Sequence, residues 1–259
     1  MGIITLYIMI KKLWWRFTDT LGKTIFHPQY FLKNYEYQAV VELKKRARGV
    51  FADIGCGRQP YKKELVGKVK KYIGIDHPIT SQKYKYGESP DLFADATDIP
   101  LPDNYCDCVS MISVLEHLPN PEQALNEAAR IMKQNSDLIL IAPQNYPLHD
   151  LPYDFFRYTR FGLKALLNKT GFKIIKIKPL GNYPVFAGQM FNIFILKKVE
   201  ELMHKNLIWK LVLITLLPFI LLACLSSNIL SLFISNFIKD YQIGSFSICN
   251  LVVAKKSSS

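Results

Sequence analysis

Val50-Phe51-Ala52-Asp53-Ile54-Gly55-Cys56-Gly57 is a short, apolar, strand-forming run that carries one acid and breaks into two glycines one residue apart. A buried strand that ends in a glycine turn lets the backbone approach a ligand closely, because glycine has no Cβ and tolerates positive φ. In open α/β sheets the ligand sits at the carboxyl ends of the strands. The stretch therefore predicts the first strand of such a sheet, with a ligand loop at Gly55–Gly57.

The surrounding sequence extends that pattern. A helix over 35–48 leads into the strand, its apolar face supplied by Tyr37, Val40, Val41 and Leu43. Arg58-Gln59-Pro60-Tyr61 opens a short lysine-rich helix, and Lys71–Ile75 reads as the next strand, ending at Asp76. Asp76 lies 19 residues beyond Gly57. In dinucleotide-type folds an acid at about that distance bonds ribose hydroxyls, since a carboxylate accepts two hydrogen bonds from a vicinal diol.

Further on, 80–90 is a polar loop, and Leu92-Phe93 leads to Asp95-Ala96. The almost unbroken apolar run from Cys106 to Val114 suits a strand buried on both faces. Asn120-Pro121 starts a helix with proline at the favoured first position, and Leu125, Ala128, Ala129 and Met132 form its buried stripe. Leu138–Ala142, Lys173–Lys178 and Ser245–Ala254 read as strands, and Thr159 caps a helix that Gly171 stops. Strands alternating with helices of this length imply parallel βαβ units.

Composition narrows the function classes. The formal charge is +12, which points to an anionic partner such as phosphate-bearing substrates or an acidic membrane surface. No arginine-glycine run or aromatic RNA-binding signature is present, so nucleic acid is not expected. Five cysteines with no regular framework read as a reducing compartment. Cys106 and Cys108 share a strand face but lack further ligands at metal spacing, and no metal is expected. The N-terminal apolar run Ile3–Ile10 precedes its charges and has no small-residue cleavage site, which excludes a secretory signal. Residues 1–34 form an amphipathic segment with Lys11, Lys12 and Arg16 opposite Leu6, Trp14 and Phe17. Two readings stay open for it: a helix in a membrane interface, or one packed on its own domain.

Four segments in order, F-A-D-I-G-C-G, Y-I-G-I-D, F-A-D-A-T-D-I-P-L-P-D and V-L-E-H-L-P-N-P, resemble the class I S-adenosylmethionine-dependent methyltransferases, specifically the type 11 group. The resemblance covers about 35–179 and the final strand. It implies a Rossmann-like α/β fold with a seven-stranded sheet, the last strand antiparallel, and S-adenosyl-L-methionine as cofactor. Carried over, Asp53, Gly55, Cys56 and Gly57 form the methionine-side loop and Asp76 is the ribose acid. Asp95 and Ala96 contact adenine, while Val114 and Glu116 belong to the strand end that closes the pocket. The glycine turn alone would equally serve a nicotinamide cofactor; the later segments narrow it. One departure is Gln134-Asn135-Ser136-Asp137, where the family carries a Pro-Gly-Gly-like turn. Asparagine tolerates the left-handed conformation the turn needs.

The loop H-D-L-P-Y-D-F-F-R-Y-T, 149–159, resembles that of a subgroup met among bacterial enzymes acting on cell-surface saccharides. It makes His149 a candidate general base and His149, Tyr153 and Arg157 candidate substrate contacts, Arg157 for a phosphate or carboxylate. The alternative is that His149 and Asp154 only tie the loop together.

Within a helical insertion at 185–240, Leu211–Ile238 runs 28 residues without a charge. As one helix it would measure about 42 Å, against about 30 Å for a hydrocarbon core. A single crossing would put the last strand on the wrong side of a membrane. Pro218 and Ser226-Ser227-Asn228 offer breaks, and lysines flank both ends, so the expectation is a monotopic hairpin on the cytoplasmic face. A buried helical cap or a dimer interface is the soluble alternative. The expected function is methyl transfer to a hydroxyl of a saccharide or lipid-linked intermediate; rivals are C- or O-methylation in quinone or isoprenoid synthesis, and a non-catalytic membrane scaffold of the same fold.

Overall fold

In the computed structural model, residues 22, 24–81, 88–238 and 245–257 are described. They fall into two compact units: Glu36–Leu180 with Ser247–Ser259, and the chain through Tyr35 with Gly181–Phe246. The division differs from the sequence reading, which set the N-terminal segment apart and counted the insertion with the sheet. Most of the N-terminal amphipathic stretch lies outside the described residues.

The first unit is a seven-stranded sheet of order β3-β2-β1-β4-β5-β7-β6. Its strands are β1 (Val50–Ile54), β2 (Lys71–Asp76), β3 (Leu92–Phe93), β4 (Cys106–Ile112), β5 (Met132–Pro143), β6 (Phe172–Leu180) and β7 (Cys249–Lys256). The strands from β3 through β5 pair in parallel, and β7 runs antiparallel to both β5 and β6. This is the Rossmann-like arrangement read from the sequence. The connecting helices are α1 (Tyr30–Arg46, in this unit from Glu36), α2 (Lys62–Leu65), α3 (Pro78–Ser81), α4 (Pro121–Ile131) and α5 (Arg160–Lys169), with a 3₁₀ turn at Leu115–His117.

The core follows from the patterns. Val109 and Met111 on β4 and Leu138 and Leu140 on β5 have no exposed surface, and neither do Leu125 and Ala128 of α4. All five cysteines are unpaired and buried, and burial raises the thiol pKa of Cys56, Cys106, Cys108 and Cys249. Thr159 caps α5 by accepting from the Gly162 amide at 3.1 Å. Asn120 stands before α4 but makes no side-chain capping bond; Pro121 alone marks that start. The expected turn at Gln134–Asp137 is an irregularity inside β5, with Asn135 at φ +60°.

The second unit is a helical hairpin of α6 (Tyr183–Met203) and α7 (Leu207–Phe237). The sequence reading places breaks at Pro218 and Ser226–Asn228; the structure has neither. α7 runs unbroken for 31 residues, about 46 Å, and Pro218 forgoes one backbone hydrogen bond within it. Ser227 and Asn228 turn onto α6 instead of ending the helix. Asn192 donates to Asn228 at 2.9 Å, Ser227 donates to the Gly188 carbonyl at 3.3 Å, and Asn182 donates to Ser235 at 2.6 Å. A Cβ on Gly188 would fall 2.0 Å from the Ser231 hydroxyl, so the helices touch there because that side chain is absent. Asn228 and Asn192 also donate to the carbonyls of Ile25, His27 and Pro28, fastening that segment to the hairpin. Outward, α7 exposes Ile208, Ile214, Phe219, Leu222 and Phe233. An apolar groove of about 540 Å³ runs between the helices, lined by Phe191, Ala223, Leu230 and Ile234 among others.

Candidate active site

The site is assembled at the carboxyl ends of the parallel strands. Ile54 is level with Ile75 on β2 and Met111 on β4, so the segments that follow these strands emerge side by side. Gly55 takes φ +71° and Gly57 φ +53°. A Cβ on Gly55 would stand 2.3 Å from Val114 Cγ2, so the loop lies tight against the end of β4. The amides of Gly55 and Cys56 both donate to the Ile75 carbonyl, at 2.8 and 3.1 Å.

Asp76 closes the turn. Its Oδ2 accepts from the Gly57 amide and its Oδ1 from the His77 amide, each at 2.7 Å. Each oxygen keeps a further lone pair, which is what a vicinal diol requires. Burial raises the Asp76 pKa, and the two amide bonds oppose that.

Asp53 sits beneath the loop. It is 1% exposed and level with Gly74 and Ser110 on the neighbouring strands. Tyr72 donates to its Oδ2 and Ser110 to its Oδ1, both at 2.5 Å. Burial pushes its pKa up to about 6. Both oxygens thus engage protein groups, and Asp53 supports the loop from below. Tyr72 and Ser110 escaped the sequence reading, since neither spacing nor residue type marked them. Gln59, at φ +55°, reaches the Ser89 carbonyl with its amide, and Gln59 and Cys56 occupy the space a Cβ on Gly74 would fill.

Asp95 accepts from the Thr97 amide and hydroxyl at 2.8 and 2.7 Å; those bonds outweigh its burial and lower its pKa. Ala96 is buried beside it. The following segment is fixed by Arg130, which donates to the Ile99 and Leu101 carbonyls and pairs with Glu127 and Asp103.

The loop after β5 folds over the end of β4: the amides of Phe155 and Phe156 donate to the Glu116 carbonyl, and the Tyr158 hydroxyl donates to the Leu115 carbonyl at 3.1 Å. His149 is thereby brought to His117, ring centroids 4.8 Å apart. Burial, then His117, lowers the His149 pKa. His149 Nδ1 lies 3.2 Å from the Pro147 carbonyl and 3.3 Å from Asp154, so Nδ1 donates and Nε2 is left as the acceptor. Tyr153, half-exposed, offers its carbonyl to His117 Nδ1 at 2.6 Å.

Arg157, expected to grip an anionic group on a substrate, is spent inside the loop. Its five N–H donors go to Tyr146, Pro147 and Phe156 carbonyls and, in bidentate fashion, to Asp154. The pair with Arg157 holds the Asp154 carboxyl well below the usual range. Glu116 is 1% exposed, its Oε2 has no hydrogen-bond partner, and burial pushes its pKa up to about 8.

The residues at the strand ends fit S-adenosyl-L-methionine: a glycine turn packed so close to Val114 that a Cβ on Gly55 would collide with it, and an acid with acceptor capacity left for ribose. Residues 52–140, from β1 into β5, match the family described as Methyltransferase domain. Among curated proteins, none matches the sequence. The fold is shared with several solved structures. The [4+2]-cyclase SpnF has 15% identity and a TM-score of 0.53, over 88% of this chain and 82% of that one. A SAM-dependent methyltransferase of Archaeoglobus fulgidus has 18% identity and a TM-score of 0.51, over 92% and 99%. Phosphoethanolamine N-methyltransferase 2 of Haemonchus contortus, in complex with S-adenosyl-L-methionine, has 14% identity and a TM-score of 0.50, over 93% and 60%.

Proposed function

With residues 52–140 forming a class I methyltransferase domain that uses S-adenosyl-L-methionine, we propose that the chain methylates a hydroxyl of a saccharide or lipid-linked acceptor at the cytoplasmic face of a membrane. The single observation behind the cofactor assignment is the Gly57 amide held on Asp76 at 2.7 Å, with Gly55 bare against Val114. Bound there, the cofactor supplies an electrophilic methyl group on a sulfonium.

In this reading the chain binds and aligns. Gly55, Cys56 and Gly57 present backbone to the methionine portion, and Asp53 holds that loop through β1. Asp76 accepts from the ribose hydroxyls, Asp95 and Ala96 border the adenine, and Val114 and Glu116 close the pocket at β4. Alignment of acceptor, methyl and sulfur supplies most of the acceleration. His149 takes the hydroxyl proton on Nε2, its neutral state favoured by the burial that lowers its pKa. Tyr153 lies on the same loop, on the acceptor side.

Membrane contact is supported by the hairpin. α7 has a mean hydropathy of 2.5 over its most apolar window, only 11% of which is buried, far more exposed apolar surface than a soluble protein ordinarily carries. Lys197, Lys198, Lys205 and Lys210, with Glu200 and Glu201, cluster where α6 meets α7. Charges are costly in hydrocarbon and basic ones favour anionic headgroups, so the hairpin lies along the surface. The groove between α6 and α7 suits an apolar chain, consistent with a lipid-linked acceptor.

Calorimetric titration with S-adenosyl-L-methionine tests the cofactor assignment; absence of binding defeats it and leaves the scaffold reading. Methyl-labelled cofactor offered with lipid extracts and, separately, with nucleotide sugars tests the acceptor. Label in quinone or isoprenoid fractions would replace the saccharide assignment.

A further inference from the structure

We propose that Glu116, His117 and His149 form a binding site for one divalent first-row metal ion, of which Zn²⁺ and Fe²⁺ are the best matches. One ligand atom from each lies within 4.8 Å of the others. Two imidazoles and a carboxylate, with coordination positions left open, are a donor set that zinc and non-haem iron both accept. Ligand atoms about 2.1 Å from a shared cation stand at most about 4.2 Å apart, so small side-chain rotations close the site.

Three further observations point to a cation. The Glu116 carboxylate is almost wholly buried, yet its Oε2 has no hydrogen-bond partner. A buried polar atom without a partner requires an explanation, and a bound ion is one of the standard ones. Both imidazoles are also held the way metal-ligating histidines are held, with one ring nitrogen on a carbonyl or carboxylate so that the other faces the ion. His117 Nδ1 lies 2.6 Å from the Tyr153 carbonyl, and His149 Nδ1 sits between the Pro147 carbonyl and Asp154. His117 Nε2 is in turn 3.9 Å from Glu116 Oε1. Finally, the nearby guanidinium of Arg157 is already neutralised, because it is committed to Asp154. The histidine side chains are 23% and 30% exposed and give the ion a way in, with Glu116 at the floor.

The open positions of such an ion take oxygen atoms, from water or from a hydroxyl or carboxylate of the acceptor. That role rests on the methyl-transfer reading; the site itself does not. With the ion bound, His149 Nε2 is no longer available to a proton, so cation and general base are exclusive uses of that atom.

The test uses the full chain in detergent, stripped with chelator and titrated with Co²⁺ under visible absorption, then with Zn²⁺ in competition. One Co²⁺ per chain, displaced by Zn²⁺, is expected. His117→Ala, His149→Ala and Glu116→Gln should each weaken binding at least 10-fold, while His204→Ala should not. Independently of any variant, Zn²⁺ should protect His117 and His149 of the unaltered chain from diethyl pyrocarbonate, read by mass spectrometry. No stoichiometric site, or Zn²⁺ that leaves both histidines equally reactive, would overturn the proposal. Cofactor calorimetry on the stripped chain is read separately, so loss of the metal site and loss of the methyltransferase reading are told apart.

Discussion

Ser110 on β4 donates its hydroxyl to Asp53 on β1 at 2.5 Å, between residues that stand level across the two central strands. The bond ties the acid beneath the glycine loop to the middle of the sheet, and Tyr72 completes the pair from β2.

The Asp53 pKa, raised to about 6 against an unfolded value near 4, makes stability depend on pH. Between these values the folded state holds a proton the unfolded chain has released, so stability falls as pH rises from about 4 to 6 and the full cost, about 3 kcal/mol, is present above that. Asp53→Asn should reduce this slope in urea titrations across that window, leaving the part contributed by Glu116, whose pKa burial pushes up to about 8. An unchanged slope would show that Asp53 is not its source.

Gly55→Ala forces a Cβ into Val114 at positive φ and should lower cofactor affinity at least 10-fold and stability by about 1–3 kcal/mol. Gly67→Ala is the control. Its φ is +76°, but nothing lies within 4 Å of the new Cβ, so it should cost stability alone. Calorimetry and thermal melts on both separate ligand contact from backbone strain.

Asp76→Asn removes the charge that receives the Gly57 amide and the expected ribose bonds. Hydrogen bonds to a charged group are worth about 1.5–3 kcal/mol, so cofactor affinity should fall roughly 10–100-fold, with secondary structure by circular dichroism intact.

Arg157→Lys cannot reproduce a fork that serves Asp154 and three carbonyls. Turnover should drop at least 10-fold with cofactor affinity unchanged, because the loop that carries His149 loosens while the strand ends do not. A matched rise in the acceptor KM alone, with kcat intact, would return Arg157 to substrate binding.

Phe219→Trp reports on the hairpin. Phe219 is 68% exposed, and with Trp14, Trp15 and Trp209 replaced by Phe so that position 219 alone reports, its fluorescence should shift to the blue on addition of vesicles containing anionic lipid, less so at high salt. No shift with any vesicle would remove the membrane from the proposed function.

Much of the sheet was legible because its signals are local. Gly55 and Gly57 announce positive φ, the spacing to Asp76 sets the end of β2, and Asn135 adopts the left-handed geometry its type allows. What was not legible depends on partners distant in sequence. Pro218 reads as a break by itself, yet α7 runs unbroken through it, and Ser227 and Asn228 find partners across the hairpin. Arg157 reads as a free cation until its loop closes on it. Glu116 and His117 are adjacent in sequence, but His149 reaches them only by a loop folding back over the end of β4, and no spacing rule anticipates that meeting.

The burial of all five cysteines has a practical consequence. With no accessible native thiol, a single cysteine introduced on the surface would be the one reactive site on the molecule. The natural chain is thus ready for spin labels or fluorophores, and the distance between hairpin and sheet can be measured without first rebuilding the core.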